Sequence, residues 1–169
     1  ATHFIRVGEA WKIDGVKGRP VGTLFWDPKL QKAYKYWLKE ALTRPNPFDP
    51  NRTPLKDDPA LAIIQIQNED SLLFWTAQRI KGRELERLTE RYHQWRRQNN
   101  LPGTPPLKIQ LWKANDQADQ DIKDTMRFFT ELMYDWNKEV ARFLREEVGY
   151  KGLINAGNWK TANQKFLLD

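Results

Sequence analysis

The stretch Ala60-Leu61-Ala62-Ile63-Ile64-Gln65-Ile66-Gln67-Asn68-Glu69 decides how this chain is read. Its apolar run is short, and Asp57, Asp58 and Pro59 precede it. A run of that length bounded by turn residues is read as a strand covered on both faces, the kind found in parallel sheets. It stops abruptly at an amide and a carboxylate, Asn68 and Glu69, with Asp70, Phe74 and Trp75 just beyond. In a (β/α)8 barrel the C-terminal strand ends hold the chemistry. A carboxylate there, followed by aromatic rings, suggests acid catalysis on a sugar.

Working outward, Asp27-Pro28 opens a helix, with Asp27 as N-cap and Pro28 in the first turn. Leu30, Ala33, Tyr34, Trp37, Leu38 and Ala41 recur at helical spacing. Pro45, Pro47, Pro50 and Pro54 end that helix in a long turn-rich connection. A strand end at 2–8, a Gly- and Lys-rich loop over 9–26, this helix and the strand at 60–67 make one right-handed β-α-β unit. Downstream, residues 71–98 predict helix, with Leu85, Leu88, Tyr92 and Trp95 on one face. Leu101 to Pro106 break the chain, and the alternation over 107–112 allows a short strand. Ile122, Met126, Phe129, Met133, Trp136, Val140 and Phe143 predict a long helix over 117–148, closed by Gly149. Residues 152–159 read as a second buried strand, ending at Asn158 and Trp159.

Two strands that each end in an Asn-containing polar pair fit neighbours in a barrel. The expected fold is therefore α/β: a partial (β/α)8 TIM-barrel segment with parallel strands and outer helices, plus a helical insertion at about 76–112. The whole chain, 1–169, forms that one segment. A complete barrel takes about 250 residues and rarely fewer than about 200, against 169 here. The chain begins without Met, in what reads as strand. Missing upstream sequence is the expectation.

Composition narrows the chemistry. Cysteine is absent, which excludes disulfides, thiolate metal sites and cysteine nucleophiles. No run approaches the ~18 apolar residues of a membrane span, and the first residues carry no signal-peptide pattern. The formal charge of +6 could signal a polyanion partner. Yet Arg83-Glu84-Leu85-Glu86-Arg87 mixes both signs, as solvated helix faces do, so nucleic acid is not the expected partner. Asp57, Asp58 and Asp70 have no second acidic cluster at ligand spacing, and no metal is expected. His3 and His93 are isolated, and neither a phosphate loop nor a nucleophile elbow occurs.

The segment from Gln65 through Asn68-Glu69-Asp70-Ser71-Leu72 to Trp75 resembles the fourth-strand motif of retaining (β/α)8 glycoside hydrolases related to cellulases. Phe25 to Leu30 and Asn46-Pro47-Phe48 resemble what precedes that motif. Val7-Gly8 and Asp14-Gly15-Val16 resemble the loop after the third strand, and Gly152 to Trp159 the fifth strand. Residues 76–112 fit least. The resemblance implies Glu69 as general acid/base, Asn68 on the sugar 2-hydroxyl, and Asn158, Trp159 and Trp75 as further substrate contacts. It implies a carbohydrate substrate, no cofactor, and an extracellular or periplasmic setting. The nucleophile of such enzymes lies on a seventh strand, which has no counterpart here. An isolated chain of this kind should be inactive, and should self-associate through exposed sheet edges or join the remaining barrel segments.

Plainer readings stand beside these. Glu69 could cap a helix or pair with an arginine, and Asn68 could satisfy turning backbone. Trp26, Trp75 and Trp159 could stack on sugar or fill the core, whereas Trp37, Trp95 and Trp136 lie on helix stripes and read as core. A rival function is a non-catalytic helical interaction module presenting a basic face, Arg79 to Arg97, to nucleic acid or an acidic partner. A third is a carbohydrate-binding barrel remnant without catalysis.

Overall fold

The computed structural model describes residues 22–109, 111 and 119–157. Helix α1 (Pro28–Thr43) starts where the sequence places it. The buried Asp27 carboxylate accepts the N–H groups of Lys29 at 2.9 Å and Leu30 at 3.0 Å. Pro28 has no N–H to satisfy, so the first turn is closed without water. Leu30, Tyr34, Leu38 and Leu42 form the buried row. That row advances in steps of four. Trp37 therefore falls beside it and stays 43% exposed, not in the core.

Strands β1 (Ile63–Gln65) and β2 (Leu153–Asn155) pair in parallel, Ile63 opposite Leu153 and Gln65 opposite Asn155. The hydrogen bonds run past both ends: Leu153 N–H donates to Ala62 O, Ile66 N–H to Asn155 O and Gln67 N–H to Ala156 O. One side packs Ile64 and Ile66 into the core; the other leaves Ile63 (53%) and Leu153 (66%) exposed. The Tyr34 hydroxyl donates to Ile66 O at 2.9 Å and ties α1 to the end of β1.

This corrects the expected α/β partial (β/α)8 barrel. The chain is mostly helical (57%), with only two short parallel strands among the described residues. A turn closed between Asp58 and Leu61 takes the first residues of the expected strand. Asp58 Oδ1 accepts the Ala60 N–H, and Leu61 N–H donates to Asp58 O. The alternating 107–109 stretch is irregular chain laid on the core by Leu107 and Ile109. Alternation alone does not supply a partner strand.

Helix is also shorter than expected after residue 70. Leu72, Leu73, Ala77 and Ile80 are buried from a run of turns, with a 3-10 segment at Trp75–Arg79. Lys81 is extended and Gly82 has φ +55, which a right-handed helix cannot run through. Helix α2 (Gly82–Gln98) begins only there and buries Leu88, Tyr92, Trp95 and Arg96. Helix α3 (Gln120–Phe143), capped by Asp119 on Ile122 N–H, buries Met126, Phe129, Trp136, Val140 and Phe143. A π turn, Leu144–Val148, follows and ends at Gly149, φ +79. Lys35 bonds Glu139 at 2.8 Å between α1 and α3. All three helices and both strands share one apolar core. Among the described residues no helix is long and apolar enough to cross a membrane.

Gly152 sits where the chain enters β2. A Cβ there would collide with the buried Tyr150 ring and lie 2.9 Å from Ala62 O. Tyr150 cannot swing aside freely, because its hydroxyl donates to Leu61 O at 3.1 Å. Gly152→Ala should therefore destabilise by about 1–3 kcal/mol, the usual range for overpacking. Urea unfolding of the variant measures it; an unchanged midpoint would show that the strand pair yields at no cost.

Candidate active site at the strand ends

Parallel pairing carries both chain segments to the same end of the strand pair. There Gly157 lies against Gln67, close enough that a Cβ would sit 3.4 Å from Gln67 O. The next residues of the first segment are Asn68 and Glu69. A short polar ladder crosses the pair: Asn155 Nδ2 donates to Gln65 Oε1 at 3.4 Å, and Gln65 Nε2 donates to Asn68 Oδ1 at 3.3 Å. Sequence reading passed over Gln65 and Asn155. The available signal was that each is the inter-strand partner of the other, once register is known.

Glu69 has φ +51, a left-handed conformation that non-glycine residues seldom take. Arg52 and Asn100 are the other described non-glycine cases, both in exposed turns. Such a residue costs of order 1–3 kcal/mol and persists only where its surroundings hold it. Here they do. Both Asp70 carboxylate oxygens accept the Gly22 N–H, at 3.1 and 3.0 Å, and Ser71 Oγ accepts the Leu73 N–H at 3.1 Å. On the strand side Tyr34 holds Ile66. Between these anchors Asn68 is half-buried and Glu69 is exposed.

Asn68 and Glu69 thus sit side by side at the strand end. Asn158 and Trp159 lie outside the described residues, as does the Trp75 side chain, whose backbone opens the 3-10 segment. Trp26 is only 3% exposed, so it is no stacking platform. Asp57 pairs with Lys56 at 2.8 Å and Asp58 caps the Ala60 turn, so each is engaged locally. Among the described residues no three His, Cys, Asp or Glu side chains gather as metal ligands.

In the run from Arg79 to Arg97, Arg79 ends the 3-10 segment and the arginines of α2 divide between its two sides. Arg96 points inward, bonding Asp124 at 2.6 Å, while Arg87 bonds the buried Asp27 at 2.7 Å. Beside that second pair, burial raises the pKa of Glu84; Arg87 opposes the rise and Asp27 adds to it. A carboxyl whose folded pKa is raised contributes stability that is lost as pH climbs through that value. Glu84→Gln should therefore raise Tm at pH 7, with the gain vanishing below the ordinary glutamate range. Thermal melts across pH 3.5 to 7, roughly the window set by the reference glutamate value, check the sign. A gain that grew in acid would contradict it.

Compared with family models, curated proteins and solved structures, the chain finds no match in any of the three.

Proposed function

We propose that the Asn68–Asp70 turn is the acid/base end of a glycoside hydrolase site acting on β-linked oligo- or polysaccharide. The supporting observation is Glu69 itself, an exposed carboxylate held in a left-handed conformation at a strand C-terminus, with both flanks anchored. Held strain of this kind concentrates at functional sites. Glu69 gives its proton to the glycosidic oxygen as the C1–O bond breaks, while a second carboxylate attacks C1. Glu69, now ionised, takes a proton from water, and the water oxygen displaces that carboxylate from C1.

Asp70 is assigned to the turn and not to attack on C1, because its carboxylate faces the Gly22 N–H and anchors the segment there. The nucleophile, needed about 5 Å from the acid in a retaining mechanism, comes from beyond this turn. Asn68, steadied by Gln65, orients a sugar hydroxyl. Assaying aryl β-glycosides with good and poor leaving groups against Glu69→Gln tests the assignment. An equal effect on both substrate types would remove Glu69 from the acid role.

A further inference from the structure

Away from the strand ends, a cleft of about 510 Å³ opens between α2 and the segment leading into α1. Its α2 wall is Arg87, Glu90, Arg91, Gln94 and Arg97, a single stripe at helical spacing that spans about 15 Å. The facing wall includes Trp26. Three guanidinium groups meet one carboxylate.

Two of the three exposed arginines are held in place by the protein. Arg87 lies over the Trp26 ring, 5.2 Å from its centroid, and spends one amino group on Asp27 Oδ2 at 2.7 Å. Arg91 gives Nη1 to Trp26 O at 3.1 Å. A guanidinium carries five N–H donors, so most of each fork is left over. The Arg97 guanidinium makes no hydrogen bond or ion pair among the described residues. Two forks are thus oriented by the protein itself and line the same cleft as a third cation.

We propose that this cleft binds an oxyanion group, a phosphate, sulfate or carboxylate, through Arg91 and Arg97, with Arg87 as a fixed cationic wall. Guanidinium forks match such groups two oxygens at a time. A polynucleotide is the poorer fit: Glu90 interrupts the stripe, and Trp26 is buried, leaving no ring in the cleft for a base to stack upon. The assignment stands apart from the reading of Glu69.

Calorimetric titration of the whole protein with inorganic phosphate, inorganic sulfate and a sugar phosphate, against sodium chloride of equal ionic strength, tests it. Saturable binding of the oxyanions but not of chloride is expected. Arg91→Gln and Arg97→Gln should each weaken it about tenfold, the equivalent of one lost charge-assisted hydrogen bond. Arg91→Lys should restore it only in part, Glu90→Gln should tighten it, and Lys32→Gln on the exposed side of α1 should leave it unchanged. Tighter binding of the sugar phosphate than of phosphate would mean that the group arrives on a carrier; equal binding would mean a free ion. Response to chloride alone, or affinity unmoved by the arginine variants, overturns the proposal. So does single-stranded DNA binding that weakens equally on loss of Arg83, which does not line the cleft.

Discussion

Asp124→Ala should lower the unfolding free energy by about 3–5 kcal/mol, the usual loss when one member of a buried ion pair is removed. The Arg96 and Asp124 side chains are 6% and 8% exposed, and their contact is 2.6 Å. Burial works against the Arg96 charge, but hydrogen bonds to Tyr92 and Asp124 outweigh it and hold the guanidinium pKa above its ordinary value. Without Asp124 the cation keeps Tyr92 Oη at 3.1 Å and Pro102 O at 2.7 Å, with no countercharge. Gln120 Nε2 loses its acceptor as well. Guanidinium unfolding should show the loss, with Tm down by on the order of 10 °C. Replacing the pair together, Arg96→Met with Asp124→Leu, should recover most of it, since apolar isosteres often match a buried pair. A single-variant loss below about 1 kcal/mol, the scale of a surface pair, would mean that water reaches the site.

The second large effect follows from the acid role proposed for Glu69 and is read from Glu69→Gln. The amide keeps the size of the side chain and cannot act as an acid. General acid help is worth roughly 10²–10⁴-fold, so the glycosylation step should slow by that factor for substrates with poor leaving groups. Activated aryl glycosides need little protonation and should be hardly slowed in that step. Their glycosyl-enzyme should instead accumulate, because the base for the second step is also gone. Pre-steady-state release of the aryl group separates the two. Uniform loss with both substrates would assign Glu69 to the turn and not to the chemistry.

Much of the local structure was legible because the signals were chemical. Asp27-Pro28 and Gly149 mark helix ends through satisfied N–H groups and a left-handed backbone, and both stand where expected. The Ile-rich run pairs in parallel with the segment read as the second strand. Other features depend on partners that no local pattern names. The 107–109 alternation found no neighbouring strand, and the 71–98 pattern did not weigh Gly82. Arg96 and Asp124 look like solvated helix charges until α2 and α3 face each other. At the candidate site Asn68 and Glu69 were readable as the abrupt end of an apolar run. The left-handed turn and the hold of Gly22 on Asp70 were not, since the latter joins residues 48 positions apart.

The pairing of β1 with β2 also sets an order of events. Gln65 and Asn155 are 90 positions apart in the chain, whereas each helix forms from contacts a few residues apart. Closing a loop of that length costs about 4 kcal/mol of chain entropy, repaid by only a handful of hydrogen bonds. The helices are therefore expected to gain structure before the strand pair, and amide protection at Ile64 and Ile154 appearing after that of the helices checks it. On that order Glu69 takes its position with the last closure, and local opening of the strand pair releases it first. Assembly of the strand-end turn and completion of folding are one step, so anything that loosens the strand pair weakens the site before it melts the helices.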